Sequence, residues 1–239
     1  MNKLVLALVG LAMLATPAFA AIEVEGDAYA GVADKYMWRG FNLSASQPVL
    51  QMGTDLSAKG FTFSYWTNTQ LSGAGNDEIT ETDVVLDYTF DVAEILSVSV
   101  GDIYYNFNVP GNTHELYLGV AADVISAPAL TIYYDWDAAN DADLDGLFYT
   151  LSFGHDIELM EKLGLSLGAL VSYNDESPFV GVYSEFHNYE LNAGLSYAVT
   201  DQISVDAYGI YSDAISDEAE LAIGDDGEST GGVTVTLAF

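Results

Sequence analysis

The chain contains no cysteine, five prolines in 239 residues and only five basic side chains. The first absence excludes a disulfide framework, the usual support of a small exported fold. The scarcity of basic groups leaves 36 acidic residues almost unopposed, for a formal net charge of −31. Nucleic acid is thereby excluded as a partner on electrostatic grounds. No apolar run is long enough for a membrane helix, which needs about 20 residues. LVLALVGLAML near the start falls well short of that, and helical periodicity is nearly absent from the rest. Acidity on this scale often marks disorder, but half the residues are hydrophobic and 16 are tyrosine, which argues for a folded chain.

The short apolar run has a different reading. A positive start ending at Lys3, the run itself and Ala18-Phe19-Ala20 form the three parts of a cleaved secretory signal peptide. The spacing predicts a signal peptide over residues 1–20 and one exported domain over 21–239.

Within that domain, alternating segments recur with period 2. Twelve strands are predicted near 25–36, 46–57, 60–70, 81–91, 96–107, 113–123, 129–138, 145–155, 164–174, 187–198, 203–213 and 230–239. Most have the 9 to 11 residues, roughly, that a tilted strand needs to cross a bilayer. The connections alternate in kind. SAKG, DVAE, ISAPA, TDQI and the somewhat longer DIELMEKLG form one set; RGFNLSAS, LSGAGNDEITE, VPGNT, AANDADLD, DESPFVGVYSEFH and AISDEAELAIGDDGEST form the other. Short turns on one side and long acidic loops on the other are the pattern of an outer-membrane barrel. Phe61, Phe63 and Tyr65 alternate with Thr62 and Ser64, and Leu130, Ile132, Tyr134 and Trp136 with Thr131, Asp135 and Asp137. The second face is rich in Gly, Ala, Ser and Thr, which suits a watered lumen better than the charged exterior of a soluble sandwich. A fifth strand in which Leu96, Val98 and Val100 give way to Ile103, Tyr105 and Phe107 predicts a bulge near Gly101. Strand one is ambiguous because Tyr29 falls on its polar face. The fold class expected is an all-β transmembrane antiparallel barrel of about 12 strands.

The chain ends VTVTLAF, with Val233, Val235, Leu237 and Phe239 on one face. This resembles the C-terminal signature of bacterial outer-membrane proteins, which implies recognition by the barrel-assembly machinery. Outer-membrane lipid and lipopolysaccharide would surround such a barrel. The stretch ADKYMWRGFNLSASQPVLQMGTDLS resembles the start of the TorF-like family of putative porins, through Asp34, Tyr36, Arg39, Gly40, Ser44 or Ser46, Pro48 and Gln51. GFTFSYW and ETDVVLDYTFDV are similar too, so the resemblance covers the first third of the chain. It implies the porin class, without a mechanism.

Arg39 is the single arginine. At the outer end of strand one it is expected either to shape a pore mouth with Tyr36 and Gly40, or to pair with a carboxylate and anchor the first loop. The registers place Asp55, Asp87, Glu115, Asp123, Asp135, Glu190 and Asp206 on the lumen face. An acidic lumen attracts cations, so small cations or solutes are the expected cargo of a porin-like diffusion channel. The competing expectation is a closed barrel whose acidic loops serve adhesion, surface binding or calcium-dependent contact. DADLDG supplies Asp141, Asp143 and Asp145 in the first half of a calcium-loop pattern, but position twelve is Ser152 in place of the bidentate glutamate. No other cofactor is implied. His114, His155 and His187 lie in separate segments, none with a serine two residues on, so neither a hydrolase nor a zinc site is expected.

Overall fold

The computed structural model describes residues 23–73, 78–107, 111–138 and 146–239; the expected signal peptide lies outside them. Twelve strands close into a barrel: β1 (Glu25–Ala33), β4 (Val49–Ala58), β5 (Phe61–Gln70), β6 (Glu78–Ala93), β7 (Leu96–Phe107), β8 (Thr113–Ala122), β9 (Ala129–Asp135), β10 (Leu147–Met160), β11 (Leu163–Asp175), β12 (Ser184–Ala198), β13 (Ile203–Ala214) and β14 (Glu228–Ala238). Each pairs antiparallel with its neighbours in sequence, and β14 closes on β1 from Asp27↔Ala238 to Ala33↔Gly232. Beyond that ladder Gly26 and Phe239 exchange both backbone hydrogen bonds, at 3.0 and 2.9 Å. The closing strand is therefore paired to its last residue.

Burial is inverted relative to a water-soluble protein. Phe61, Phe63 and Tyr65, Leu116, Leu118 and Val120, and Val233, Val235 and Leu237 all lie exposed on the outer face. Among the described residues only seven hydrophobic side chains are buried. A soluble sandwich hides its large apolar residues between sheets, whereas a continuous apolar outer band is what a hydrocarbon environment stabilises. The faces thus decide between the two folds.

At the end carrying both termini the connections are short. Lys59 and Gly60 (φ 53° and 84°) form a two-residue turn of the type that matches strand twist. Glu161 and Lys162 alone join β10 to β11, so DIELMEKLG is mostly strand and not the loop expected. The strands β6, β10 and β12 run to 16, 14 and 15 residues, longer than a bilayer requires. Among the described residues, a small hairpin, β2 (Met37–Trp38) with β3 (Phe41–Asn42), and a helix, α1 (Asp217–Ile223), occupy the long loops. The Ser216 hydroxyl caps α1 by accepting from the Ala219 N–H at 3.2 Å, acidic residues fill the first turn, and Gly224 ends it at φ 101°. These signals were present in the sequence, although no helix was expected there.

The bulge expected near Gly101 is absent: β7 stays in continuous register there with both β6 and β8. The apolar residues change face while the backbone does not. Val100 points outward, whereas Ile103, Tyr105 and Phe107 point into the lumen. Asp102 takes the outward position instead, accepting from Trp136 Nε1 (3.0 Å) beside His114 Nδ1 (2.8 Å). Tyr29 also faces the lumen, lying flat over the neighbouring strand. A Cβ at Gly53 would stand 2.4 Å from its hydroxyl, and one at Gly101 would stand 2.5 Å from the Tyr117 ring. Glycine lets each tyrosine lie along the wall and leave the lumen free.

Candidate functional site

The 34–48 connection turns inward into the barrel. At its base the Asp34 carboxylate accepts from the Thr230 hydroxyl (2.7 Å) and the Gly231 N–H (2.9 Å), and Lys35 pairs with Glu228 at 2.5 Å. Tyr36 then packs with Ala33, Val49 and Trp66, its ring 5.4 Å from that of Trp66. The Tyr36 N–H donates to the Ser44 hydroxyl at 2.9 Å, and the Leu43 N–H to the Tyr36 carbonyl at 2.9 Å, which closes the loop on itself. Arg39 and Gly40, at φ 49° and 82°, make the two-residue hairpin turn between β2 and β3.

Arg39 is the tip of this hairpin and reaches the opposite side of the ring. Nη1 and Nη2 each donate to one oxygen of Glu115 on β8, both at 2.9 Å, and the Tyr105 hydroxyl donates to the same carboxylate at 2.8 Å. The guanidinium lies between aromatic faces, 4.2 Å from the Phe148 ring, 4.4 Å from Trp38 and 4.9 Å from Tyr133. The two charged side chains are only 9% and 4% exposed. A bidentate fork with stacking is the arrangement for which arginine is suited and lysine is not. Arg39 therefore anchors the loop from inside the lumen and does not stand at the mouth.

The backbone at the tip is held as well. His187 Nε2 is 2.8 Å from the Arg39 carbonyl, and its Nδ1 is 2.5 Å from the Tyr183 hydroxyl. His187 reaches inward through a bulge: the β11–β12 register shifts between Val171 and Tyr173, so that His187 and the adjacent Asn188 are both buried. No feature of the sequence signalled this. Above the tip, α1 closes down until a Cβ on Gly40 would stand 2.6 Å from Ile223 Cδ1. A cavity of about 300 Å³ lies on the long-loop side of the hairpin, walled in part by Trp38, Phe41, Tyr105 and Phe179. A second of about 230 Å³ lies beneath it, bordered by Arg39, Tyr133, Phe148 and Glu190.

Of the acidic residues expected along the lumen, Glu115 and Asp135 are buried and register partners on β8 and β9. Asp135 accepts from the Thr113 hydroxyl at 2.5 Å. Asp87 accepts from Tyr117 (2.6 Å) and Thr89 (2.8 Å) on the inner wall. Glu190 borders the lower cavity, Asp206 accepts from Ser204, and Asp55 borders the opening at the end carrying the termini. Asp123 is corrected: it lies one residue beyond β8, exposed in the short turn, because the strand ends at Ala122. Two further carboxylates, Glu81 and Asp83, share the inner face of β6 with Asp87, as their odd-numbered positions allowed. Asp141, Asp143 and Asp145 lie outside the described residues. Among those described, no group of three or more His, Asp or Glu is placed to hold a metal ion.

A closed, antiparallel, twelve-stranded barrel with an apolar exterior and a polar interior defines the class: the fold is that of the outer-membrane porins. No protein-family model and no curated protein matches the sequence, and the TorF-like resemblance is carried by its quoted residues alone. Solved structures do match. The KdgM porin aligns with 90% of this chain and 99% of its own at TM-score 0.57 and 15% identity. The NanC porin aligns with 89% and 98% at TM-score 0.59 and 14% identity. An outer-membrane channel from Pseudomonas putida F1 aligns with 93% and 97% at TM-score 0.52 and 11% identity.

Proposed function

We propose that the protein resides in the bacterial outer membrane as a narrow, cation-preferring diffusion channel for ions or small solutes, constricted by its own first loop. The observation that carries the reading is the Arg39–Glu115 pair. The single arginine is spent on one carboxylate, so Asp55, Asp87, Asp135, Glu190 and Asp206 face the lumen without a guanidinium to balance them. Fixed charge of one sign in a low-dielectric wall concentrates counter-ions. The KdgM porin is described in complex with disordered oligogalacturonate, a polyanion; the acidic lumen here favours cargo of the opposite sign. The strand end at Phe239 would be the element read by the barrel-assembly machinery, and lipid with lipopolysaccharide would contact the outer face.

The test is single-channel recording of the refolded mature chain in a planar bilayer under a salt gradient. Conductance steps with a reversal potential on the cation side support the reading. Asp87→Asn with Asp135→Asn should move that potential toward zero. A folded barrel with no conductance, or one selective for anions, overturns it.

A further inference from the structure

The cavity on the long-loop side of the hairpin is unlike the rest of the lumen, and its chemistry goes beyond that of a channel for hydrated ions. Its walls are aromatic: Trp38 meets Tyr105 edge-on at 6.3 Å between ring centres, Tyr105 stacks on Phe107 at 6.2 Å, and Phe179 from the 176–183 loop closes over Phe107 at 6.4 Å. Three carboxylates also border it, those of Glu81, Glu115 and Asp135, and among the described residues no basic side chain does. Arg39 accounts for Glu115. The other two are held by neutral donors: Glu81 by the Tyr36 hydroxyl, and Asp135 by the Thr113 hydroxyl and the Ala138 N–H. These donors are neutral and bring no counter-charge.

We propose that this vestibule is a binding site for a small organic ammonium ion carrying an apolar or aromatic body. Ionising a carboxyl inside aromatic walls without a counter-charge is costly, and an ammonium group supplies that counter-charge. The rings suit both parts of such a ligand, because their faces attract cations and their bodies bury hydrocarbon. A volume of about 300 Å³ is of the size that takes one small molecule. A hydrated inorganic cation would leave the rings wet, and an anion would meet the carboxylates.

The test is calorimetric titration of the refolded barrel in detergent micelles with phenethylammonium, against a barrel-free micelle blank. Phenylacetate and 2-phenylethanol, which keep the ring and change the charge, serve as comparisons. Binding at equilibrium in micelles requires no conductance, so its outcome stands apart from that of the channel reading. Saturable one-to-one binding of phenethylammonium, at least about tenfold tighter than 2-phenylethanol and with none of phenylacetate, is expected. Glu81→Gln with Asp135→Asn should weaken it about tenfold or more, while Asp201→Asn, in an exposed turn at the opposite end, should leave it unchanged. Should the double variant not fold, Phe179→Ala, a substitution within the 176–183 loop, should still weaken binding about threefold. No binding, equal binding of all three ligands, or an affinity indifferent to both variants overturns the proposal.

Discussion

The guanidinium of Arg39 and the carboxylate of Glu115 are joined by two parallel hydrogen bonds of 2.9 Å across 76 positions of sequence. This contact ties the inward loop to the far wall of the barrel. Removing one partner leaves the other charge buried, at a cost of about 3–5 kcal/mol. Glu115→Ala should therefore release the hairpin, seen as larger and noisier single-channel conductance and as faster protease cleavage within 34–48. Arg39→Lys keeps the charge but loses the fork and should fall between the two. Unaltered conductance in both variants would remove the pair from the constriction.

Gly40 is confined twice, by φ 82° and by the approach of Ile223 to 2.6 Å from where a Cβ would be. Gly40→Val combines a left-handed conformation, costing about 1–2 kcal/mol, with a clash against α1. The outcome expected is displacement of α1 with the barrel intact, read as increased amide exchange over 217–223 without loss of heat-modifiable gel migration.

Gly101 gives Tyr117 room to lie along the wall. Gly101→Ala should push the ring into the lumen, lowering conductance and costing about 1–3 kcal/mol of barrel stability. Adding Tyr117→Ala should restore the conductance, which a merely local disturbance of β7 would not allow.

The base of the loop predicts an acid response. Partial burial pushes the Asp34 carboxyl up, but the Thr230 hydroxyl, the Gly231 N–H and the neighbouring Lys35 ammonium outweigh it and hold the group below its ordinary value of 3.8. A depressed value means that the stabilisation is fully present above pH 3.8 and is lost as the pH falls through the lower, folded value. Protease sensitivity of 34–48 should thus stay flat from neutrality to about pH 4 and rise only below it. Asp34→Asn should show raised sensitivity at neutral pH and lose that step.

The wall of the barrel was legible because its cause is local. Alternation with period 2 assigns each residue of a strand to lipid or lumen independently of its distant partners, and twelve such segments with connections of alternating length admit closure with all termini at one end. Phe61 to Tyr65 and Val233 to Leu237 needed no tertiary information. The interior was not legible in the same way. RGFNLSAS reads as an outer loop in sequence, because nothing local says that Arg39 meets Glu115 or that His187 is turned inward by a bulge opposite Ser172. Those placements follow from ring closure, which brings β1 and β8 to opposite sides of one lumen. There a guanidinium among carboxylates gains most by crossing to a buried partner. Sequence alone determined a barrel, its faces and its sign of charge; the tertiary structure decided that the first loop fills the barrel, because only closure creates the confined, acidic space that a guanidinium stabilises.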